Sequence, residues 1–319
     1  MGTPPMKSIL PFLTLGALLV TPALLQAKIT RTVEKTFAVQ PGGNLQATTQ
    51  GGNISIQTAD TPEVRVVVKQ TVRASTEQEA DEILAKLTLK MEQSGNDVAV
   101  ESKYERASSP RNWFGNWPPV SVSFEITVPK HYNLRLNTSG GNIAVASLTG
   151  NVRARTSGGN LDFDRIDGDL DASTSGGNIS LREGTAKARL DTSGGNIEVD
   201  RAGGPTEVST SGGDIKLRSV AQLISASTSG GDVHAVLTEP LRQDTELGTS
   251  GGDVKVEVVK GAGFHLDAST SGGDVRANGL TITLEQGGNG KHKLVGAVNG
   301  GGPRLKLRTS GGNITVQTN

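Results

Sequence analysis

A five-residue string, Thr-Ser-Gly-Gly followed by Asn or Asp, recurs nine times and constrains the fold more than any other feature of the chain. Five successive intervals between copies are 18 residues long, and the next two are 21 residues long. The copies begin at Thr138, Thr156, Thr174, Thr192, Thr210, Thr228, Thr249, Thr270 and Thr309. A period this regular indicates one supersecondary unit that is stacked many times.

Each full repeat holds two short runs in which apolar and polar residues alternate. In the first repeat, Ile143 and Val145 mark one run, and Val152 and Ala154 mark the other. Period-two alternation predicts half-buried strands. The Ser-Gly-Gly turn and a second glycine turn predict corners, on the expectation that glycine supplies a positive φ there.

Two short strands cannot bury an apolar face alone, so the repeats have to cover one another. The pattern therefore predicts an all-β fold, a parallel β-solenoid with coils of 18–21 residues that lie about 4.8 Å apart. Right-handed coiling is the default for parallel crossovers.

The region before the repeats departs from this pattern. Thr76 and Glu79 form a capping-box signature, and apolar residues follow at helical spacing, which predicts an amphipathic helix. The Ser94–Asp97 segment predicts the turn of a hairpin. We expect a small N-terminal α/β elaboration that covers the first coils. The last copy ends after one strand, so the C-terminal coil is expected to be the less protected end.

The first 27 residues are typical of a secretory signal peptide. Lys7 precedes an apolar run, and Ala27 provides a cleavage site before Lys28. We therefore predict three segments: the signal peptide (1–27), the first coils with the helix, hairpin and a Trp-rich loop (28–137), and the regular solenoid (138–319). The mature protein is expected to be periplasmic or extracellular, with no membrane span.

Charge and cysteine content exclude several functions. The chain carries 32 basic and 32 acidic residues, and removal of Lys7 with residues 1–27 leaves a net charge of −1. Nucleic-acid binding needs a basic surface, so we predict no nucleic-acid partner. The absence of cysteine excludes disulfides, thiolate metal sites and cysteine nucleophiles.

The repeated Thr-Ser-Gly-Gly-Asn/Asp-Ile/Val unit resembles a large bacterial family of secreted, adhesin-like proteins with β-strand repeats and no characterised function. The Phe124–Lys130 segment and the Gly300–Pro303 segment before the last copy carry the same resemblance. It covers about Phe37 to Asn319. The resemblance implies a repetitive β fold and no catalytic residues.

The fifth residue of each repeat, counted from its Thr, forms a predicted column of Asn and Asp side chains. Neighbouring carboxylates about 4.8 Å apart repel one another, and the Asp-containing repeats all carry a basic or titratable residue two positions later, on the same strand face. We predict a charge-compensated structural ladder with these members: Asp214, Lys216, Asp232, His234, Asp253, Lys255, Asp274 and Arg276. The alternative is a cation-binding ladder, but Ca²⁺-binding β-rolls repeat every nine residues. We therefore predict no metal.

The Asn112–Pro119 segment contains both tryptophans of the chain. Trp113, Phe114 and Trp117 are candidates for a partner contact, because exposed aromatic clusters often bind. The alternative is that they seal the solenoid.

No pattern predicts a catalytic site or a cofactor. The four histidines occupy unrelated settings, and a nucleophile would need a nearby base. Acids are dense between Asp162 and Asp171, but aromatic residues make up only 3% of the chain, so sugar platforms are scarce. We predict a secreted, non-enzymatic, adhesin-like module with an unknown surface, glycan or envelope partner. The alternatives are an envelope scaffold that self-associates through the solenoid ends and a glycan-active β-helix enzyme.

Overall fold

The computed structural model describes residues 28–105 and 119–319. The predicted signal peptide, residues 1–27, lies outside the described residues, and so do Trp113, Phe114 and Trp117. The predicted all-β class and the parallel stacking of the repeats are confirmed. The right-handed sense of the coil and the three segment boundaries stay predictions.

The strands form two long parallel stacks, which we call the first face and the second face. The first face contains, in stacking order, β6 (Asp97–Tyr104), β2 (Asn44–Thr49), β8 (Asn133–Thr138), β11 (Val152–Arg155), β13 (Leu170–Ser173), β15 (Ala188–Asp191), the C-terminal parts of β16 (Ile197–Ser209) and β17 (Ile215–Ser227), β19 (Thr245–Gly248), β25 (Arg304–Thr309) and β21 (Phe264–Thr270).

The second face is built in the same way from the second strand of each coil. It contains, in stacking order, β7 (Val120–Pro129), β3 (Ile54–Ala59), β9 (Ile143–Val145), β12 (Leu161–Asp167), β14 (Ile179–Gly184), the N-terminal parts of β16 and β17, β18 (Val233–Leu237), β20 (Val254–Val258), β26 (Ile314–Thr318) and β22 (Val275–Asn278). A short strand, β10 (Leu148–Thr149), pairs with the end of β12 along a narrow third side.

The apolar core lies between the two faces. Leu161 of β12 is fully buried and pairs in register with Ile143 in one neighbouring coil and Ile179 in the other. Leu170 and Ala172 of the first face are buried in the same coil. The alternation in the sequence therefore marks the inward side chains, and stacking provides the cover that one coil lacks.

The Thr-Ser-Gly-Gly corners are held by a threonine that faces inward. Thr174 is buried, and its hydroxyl donates to the carbonyl oxygen of Gly159 in the preceding coil at 2.9 Å. The same hydroxyl accepts from the Gly177 amide at 3.4 Å. Each corner is thus tied to the coil before it.

The second glycine of each corner is needed for close approach, so our expectation of a positive φ there was wrong. Gly150, in the second turn of the first repeat, does have a positive φ, of 146°. In the described residues, no glycine of a Thr-Ser-Gly-Gly corner has one. At Gly177, an added Cβ would lie 2.0 Å from the carbonyl oxygen of Gly159. Only glycine lets the corners stack at the coil spacing.

The stacking order differs from the chain order at both ends. The coil of β2 and β3 lies between the strands β6 and β7 and the coil of β8 and β9. The last coil, β25 and β26, lies between β19–β20 and β21–β22. The expectation that the C-terminal coil is a poorly protected end was therefore wrong, because this coil inserts between two earlier ones.

Antiparallel strands cover both ends of the stack. At one end β4 (Glu63–Arg73) pairs with β7 and with β1 (Lys28–Ala38), and β5 (Leu87–Ser94) pairs with β6 as the predicted hairpin. At the other end β24 (Lys293–Val298) pairs with β21 and with β23 (Ile282–Gly290).

The predicted helix is α1 (Glu77–Leu84), with Thr76 as its N-cap. The Thr76 hydroxyl accepts from the Glu79 amide at 3.1 Å, and the Glu79 carboxylate accepts from the Ser75 amide at 2.7 Å.

Candidate functional site

A large groove lies on the first face, at the N-terminal ends of its first strands. The groove crosses β5, β6, β2, β8, β11, β13 and β15 and has a volume of about 940 Å³. This volume lies within the range of known ligand sites. Because the groove runs across the strands, it presents side chains from successive coils at the coil spacing.

One side of the groove is a ladder of short polar side chains, which we call the groove-side ladder. The Asn133 side-chain oxygen accepts from the Asn151 amide of the next coil, and the Asn151 oxygen accepts from the Asp169 amide, both at 2.9 Å. Asp97 and Asn44 continue the ladder toward β5. The backbone bonds use one oxygen of each side chain and fix the side chains in a row.

The other side of the groove is a row of longer side chains that point outward. It includes Gln46, Arg135, Arg153, Asp171 and Arg189, which follow one another through the paired registers of the first face. The Arg153 guanidinium lies 3.1 Å from the Asp171 carboxylate. Arg189 is paired with Asp191 at 3.0 Å and with Glu207 at 3.3 Å.

Arg135 is the exception in this row. It is exposed and lies directly beside Arg153 in the register of β8 and β11. Within residues 28–105 and 119–319 its guanidinium forms no ion pair. Two adjacent arginines, with one of them unpaired, make the middle of the groove positive.

The predicted Asn/Asp column exists, but its main role is to bind the backbone. The Asn160 side-chain oxygen accepts from the Asn178 amide at 2.8 Å, and the Asp232 carboxylate accepts from the Asp253 amide at 2.7 Å. Asn and Asp both offer this side-chain oxygen, which explains why both residues occur at this position.

The order of the column differs from the predicted one. Asn313 of the inserted last coil lies between Asp253 and Asp274, because it donates its amide to Asp253 and accepts the Asp274 amide. Asp214, Asp232 and Asp253 are therefore the three successive carboxylates, and the predicted run of four is interrupted.

The predicted charge partners are brought together in one of four cases. Arg276 lies 3.1 Å from Asp274. Lys255 and His234 instead contact Glu257, at 2.8 Å and 3.3 Å, because the next outward residue of β20 is acidic.

Lys216, the remaining partner, lies between Glu198 and His234 in the second face. It forms no ion pair in the described part of the chain. The hydrogen bonds to Lys255 and His234 keep the pKa of Glu257 below its usual value.

The acid-rich coil between Asp162 and Asp171 is occupied by structural bonds. Arg182 and the Ser147 hydroxyl both bind Asp164 and hold its pKa below the usual value. Asp162 accepts from the Ser180 hydroxyl at 2.7 Å, and Asp167 is paired with Arg165 at 3.0 Å. Each of these three carboxylates is engaged by a neighbouring side chain, which does not favour an acid–base pair for glycoside cleavage.

Clustered metal ligands and membrane-spanning helices are absent from the part of the chain that the structure describes. Among residues 28–105 and 119–319, no group of three or more His, Cys, Asp or Glu side chains is arranged to hold a metal ion. In the same residues, no helix has the length and apolarity required to cross a membrane.

Comparison with known families decides the classification. A family model described as Toastrack DUF4097 matches residues 43–317. The chain belongs to this family. The match covers nearly all of the stretch in which the repeats indicated a resemblance to secreted, adhesin-like proteins. No curated protein matches the chain in sequence.

Several solved structures resemble this Toastrack protein at low sequence identity. A putative adhesin from Bacteroides fragilis NCTC 9343 is 16% identical, covers 91% of this chain and 97% of its own, and gives a TM-score of 0.41. A putative adhesin from Parabacteroides distasonis ATCC 8503 is 14% identical with the same coverage and a TM-score of 0.46. A putative lipid binding protein from the latter strain is 13% identical, covers 89% and 96%, and gives a TM-score of 0.39. These similarities are too low to carry an argument about function.

The groove residues were not found by the sequence analysis. Arg135 precedes the first full repeat and Gln46 lies in an early coil, so neither belongs to the periodic pattern. A usable signal existed in Asn133, Asn151 and Asp169, which recur 18 residues apart.

Proposed function

We propose that this Toastrack protein is a non-enzymatic, adhesin-like module that acts at the bacterial cell surface or in the envelope. It binds an extended surface, glycan or envelope polymer along the groove of the first face. The single observation that supports this function is the groove itself: about 940 Å³, open along seven strands, and lined by hydrogen-bonding side chains that repeat from coil to coil. A repeating site suits a repeating ligand, because many weak contacts add together.

Two observations favour binding over the alternatives. The dense carboxylates that would suggest a glycan-active enzyme are engaged in ion pairs and hydrogen bonds. The scaffold alternative was based on an unprotected last coil, and this coil lies inside the stack. Secretion follows from the signal-peptide pattern of residues 1–27 and remains part of the proposal.

The experiment that tests this function blocks the groove chemically. Because the chain has no cysteine, a single Gln46→Cys variant can be coupled to a polyethylene glycol maleimide inside the groove. Ala144→Cys is the matched control: it is exposed and lies on the second face, in the coil next to the one that contains Gln46. Both labelled proteins are applied to a glycan array, and each bound glycan is then incubated with the protein and analysed for products.

The proposal predicts that the Ala144→Cys conjugate binds, that the Gln46→Cys conjugate does not, and that the glycan remains intact. Equal binding by both conjugates would place the binding site elsewhere. Cleavage of a bound glycan would establish the enzyme alternative.

A further inference from the structure

The groove lining as a whole is balanced, with four basic and four acidic side chains. Its middle nevertheless holds a local excess of positive charge, which Arg155 extends just outside the lining. Three arginines, Arg135, Arg153 and Arg155, lie on adjacent outward positions of β8 and β11, and we call them the arginine cluster. The Asp171 carboxylate forms ion pairs with two of them, with Arg153 at 3.1 Å and with Arg155 at 3.8 Å. The cluster with Asp171 therefore carries a net charge of about +2.

This local positive charge is exposed and therefore accessible to an anion. Arg135 and Arg153 are register partners in adjacent parallel strands, about 4.8 Å apart. Like charges at this distance repel, and water screens the repulsion only in part. A guanidinium has five donors in a planar fork that fits a carboxylate or sulfate group with two bonds. Charge complementarity therefore favours an anionic ligand over a neutral one.

The groove-side ladder adds a second requirement. The side-chain oxygens of Asn133 and Asn151 each accept a backbone amide of the next coil. The Asn133 side-chain nitrogen donates to the Asn44 side-chain oxygen at 3.1 Å. An amide nitrogen has two donor hydrogens, and hydroxyl groups are good partners for the second one. A ligand with both acidic groups and hydroxyl groups satisfies both sides of the groove.

The repeat distance separates a polysaccharide from other acidic polymers. Side chains on one face of an extended peptide recur at about 6.6 Å, which is out of step with a coil spacing of about 4.8 Å. The pyranose units of an extended polysaccharide recur at close to the coil spacing. Nucleic acid is disfavoured, because the described lining contains no aromatic ring for base stacking.

We infer that the groove binds an acidic polysaccharide, with the arginine cluster on its carboxylate or sulfate groups and the groove-side ladder on its hydroxyl groups. This inference rests on the proposed function and names the class of ligand for the same groove.

The test measures binding of polygalacturonate, dextran sulfate and neutral dextran to the full chain by calorimetry. The variant is Arg135→Gln combined with Arg153→Gln. Its matched control is Lys216→Gln combined with Lys260→Gln, which removes the same charge at two exposed residues outside the groove. Neither lysine forms an ion pair in the described residues. Arg135→Gln alone is included, because it removes no ion pair and should leave folding intact.

We expect at least one acidic polymer to bind and dextran not to bind. The double arginine variant should raise Kd roughly tenfold or more, because it removes charge-assisted hydrogen bonds to the anion. Arg135→Gln alone should give part of this loss, and the lysine control should leave Kd unchanged. Polygalacturonate and dextran sulfate distinguish carboxylate from sulfate as the source of the anion.

Four results would overturn the inference: equal binding of dextran, equal loss in the arginine and lysine variants, tighter binding of polyglutamate or of a single-stranded oligonucleotide, or no binding of either acidic polymer. If one of these occurs while a glycan array still shows binding that the Gln46→Cys conjugate abolishes, the proposed function stands and only the ligand class is wrong.

Discussion

At the scale of single residues, neighbouring positions of the corner motif have different tasks. In one corner, Thr174 links two coils through its hydroxyl, Gly177 allows the close approach, and the Asn178 side-chain oxygen accepts a backbone amide of the next coil. The first glycine, Gly176, has an open environment, where an added Cβ would meet nothing closer than 3.6 Å. The two glycines of the motif should therefore respond very differently to substitution.

Gly177→Ala should destabilise the fold strongly, and Gly176→Ala should leave its stability nearly unchanged. The added Cβ at residue 177 would lie 2.0 Å from the Gly159 carbonyl oxygen, which is a backbone atom that cannot move aside. We expect a loss of about 3 kcal/mol or more, which corresponds to a fall in Tm of roughly 5 °C or more. Thermal unfolding followed by circular dichroism provides the comparison. Equal melting of the two variants would show that the corners do not stack as described.

A second residue-scale prediction concerns Asp267, which is buried and bound by Arg304 and Arg308. Burial raises its pKa, but the hydrogen bonds and charges of the two arginines lower it more, so the net shift is downward. Because the folded-state pKa is lower than the unfolded one, the carboxylate stabilises the fold above about pH 4 and loses this effect as the pH falls further.

We therefore expect Asp267→Asn to cost roughly 1.5–3 kcal/mol at pH 7, with the difference from the wild type shrinking below about pH 4. Urea unfolding at a series of pH values measures it. Asp169→Asn is the control, because Asp169 is exposed and uses its side chain only in the ladder. A difference that stays constant down to pH 2 would contradict the role of the Asp267 charge.

At the scale of strands and helices, the sequence predicted what is local and periodic. Short-range patterns predicted the helix α1 with its Thr76 cap, the β5–β6 hairpin and the paired strands of each repeat. The insertion of β25 and β26 between earlier coils was not predictable. Nearly identical corners make every coil a possible neighbour of every other, so the stacking order depends on contacts between segments far apart in the chain.

The inserted coil leads to a prediction about truncation. Removal of residues 303–319 takes away β25 and β26, which are the parallel partners of β21 and β22. Although β22 precedes the cut, it should lose its hydrogen-exchange protection, because β26 is its strand partner in the described residues and an unpaired strand exposes its amides. β21 remains paired with β24. The amides of β8 and β11 serve as the internal control and should stay protected. Retained protection in β22 would show that the last coil lies at the end of the stack.

The candidate site was less predictable than the fold for a related reason. The regular repeat drew the prediction to the Asn/Asp column, whose side chains mainly accept backbone amides. The groove instead combines an early coil, the hairpin strand β5 and the first repeats. Its shape arises only when these elements meet, and Arg135 and Arg153 become adjacent only through the register of β8 and β11.

At the scale of the whole molecule, the solenoid offers two long faces with different roles. The second face is tied together by ion pairs such as Arg182 with Asp164 and Arg218 with Asp200. The first face carries the groove and the arginine cluster. A chain with almost no net charge therefore carries a local cluster of positive charge beside the groove's acids, and such a cluster can attract an anion.

Arginine labelling tests the central claim most directly. Phenylglyoxal is applied to the full chain with and without polygalacturonate, and the modified residues are quantified by mass spectrometry. We predict that the polymer protects Arg135 and Arg153 and leaves Arg182 and Arg218, exposed on the second face, labelled as before. Equal protection of all four arginines, or protection of the second face alone, would contradict the assignment of the groove as the binding site.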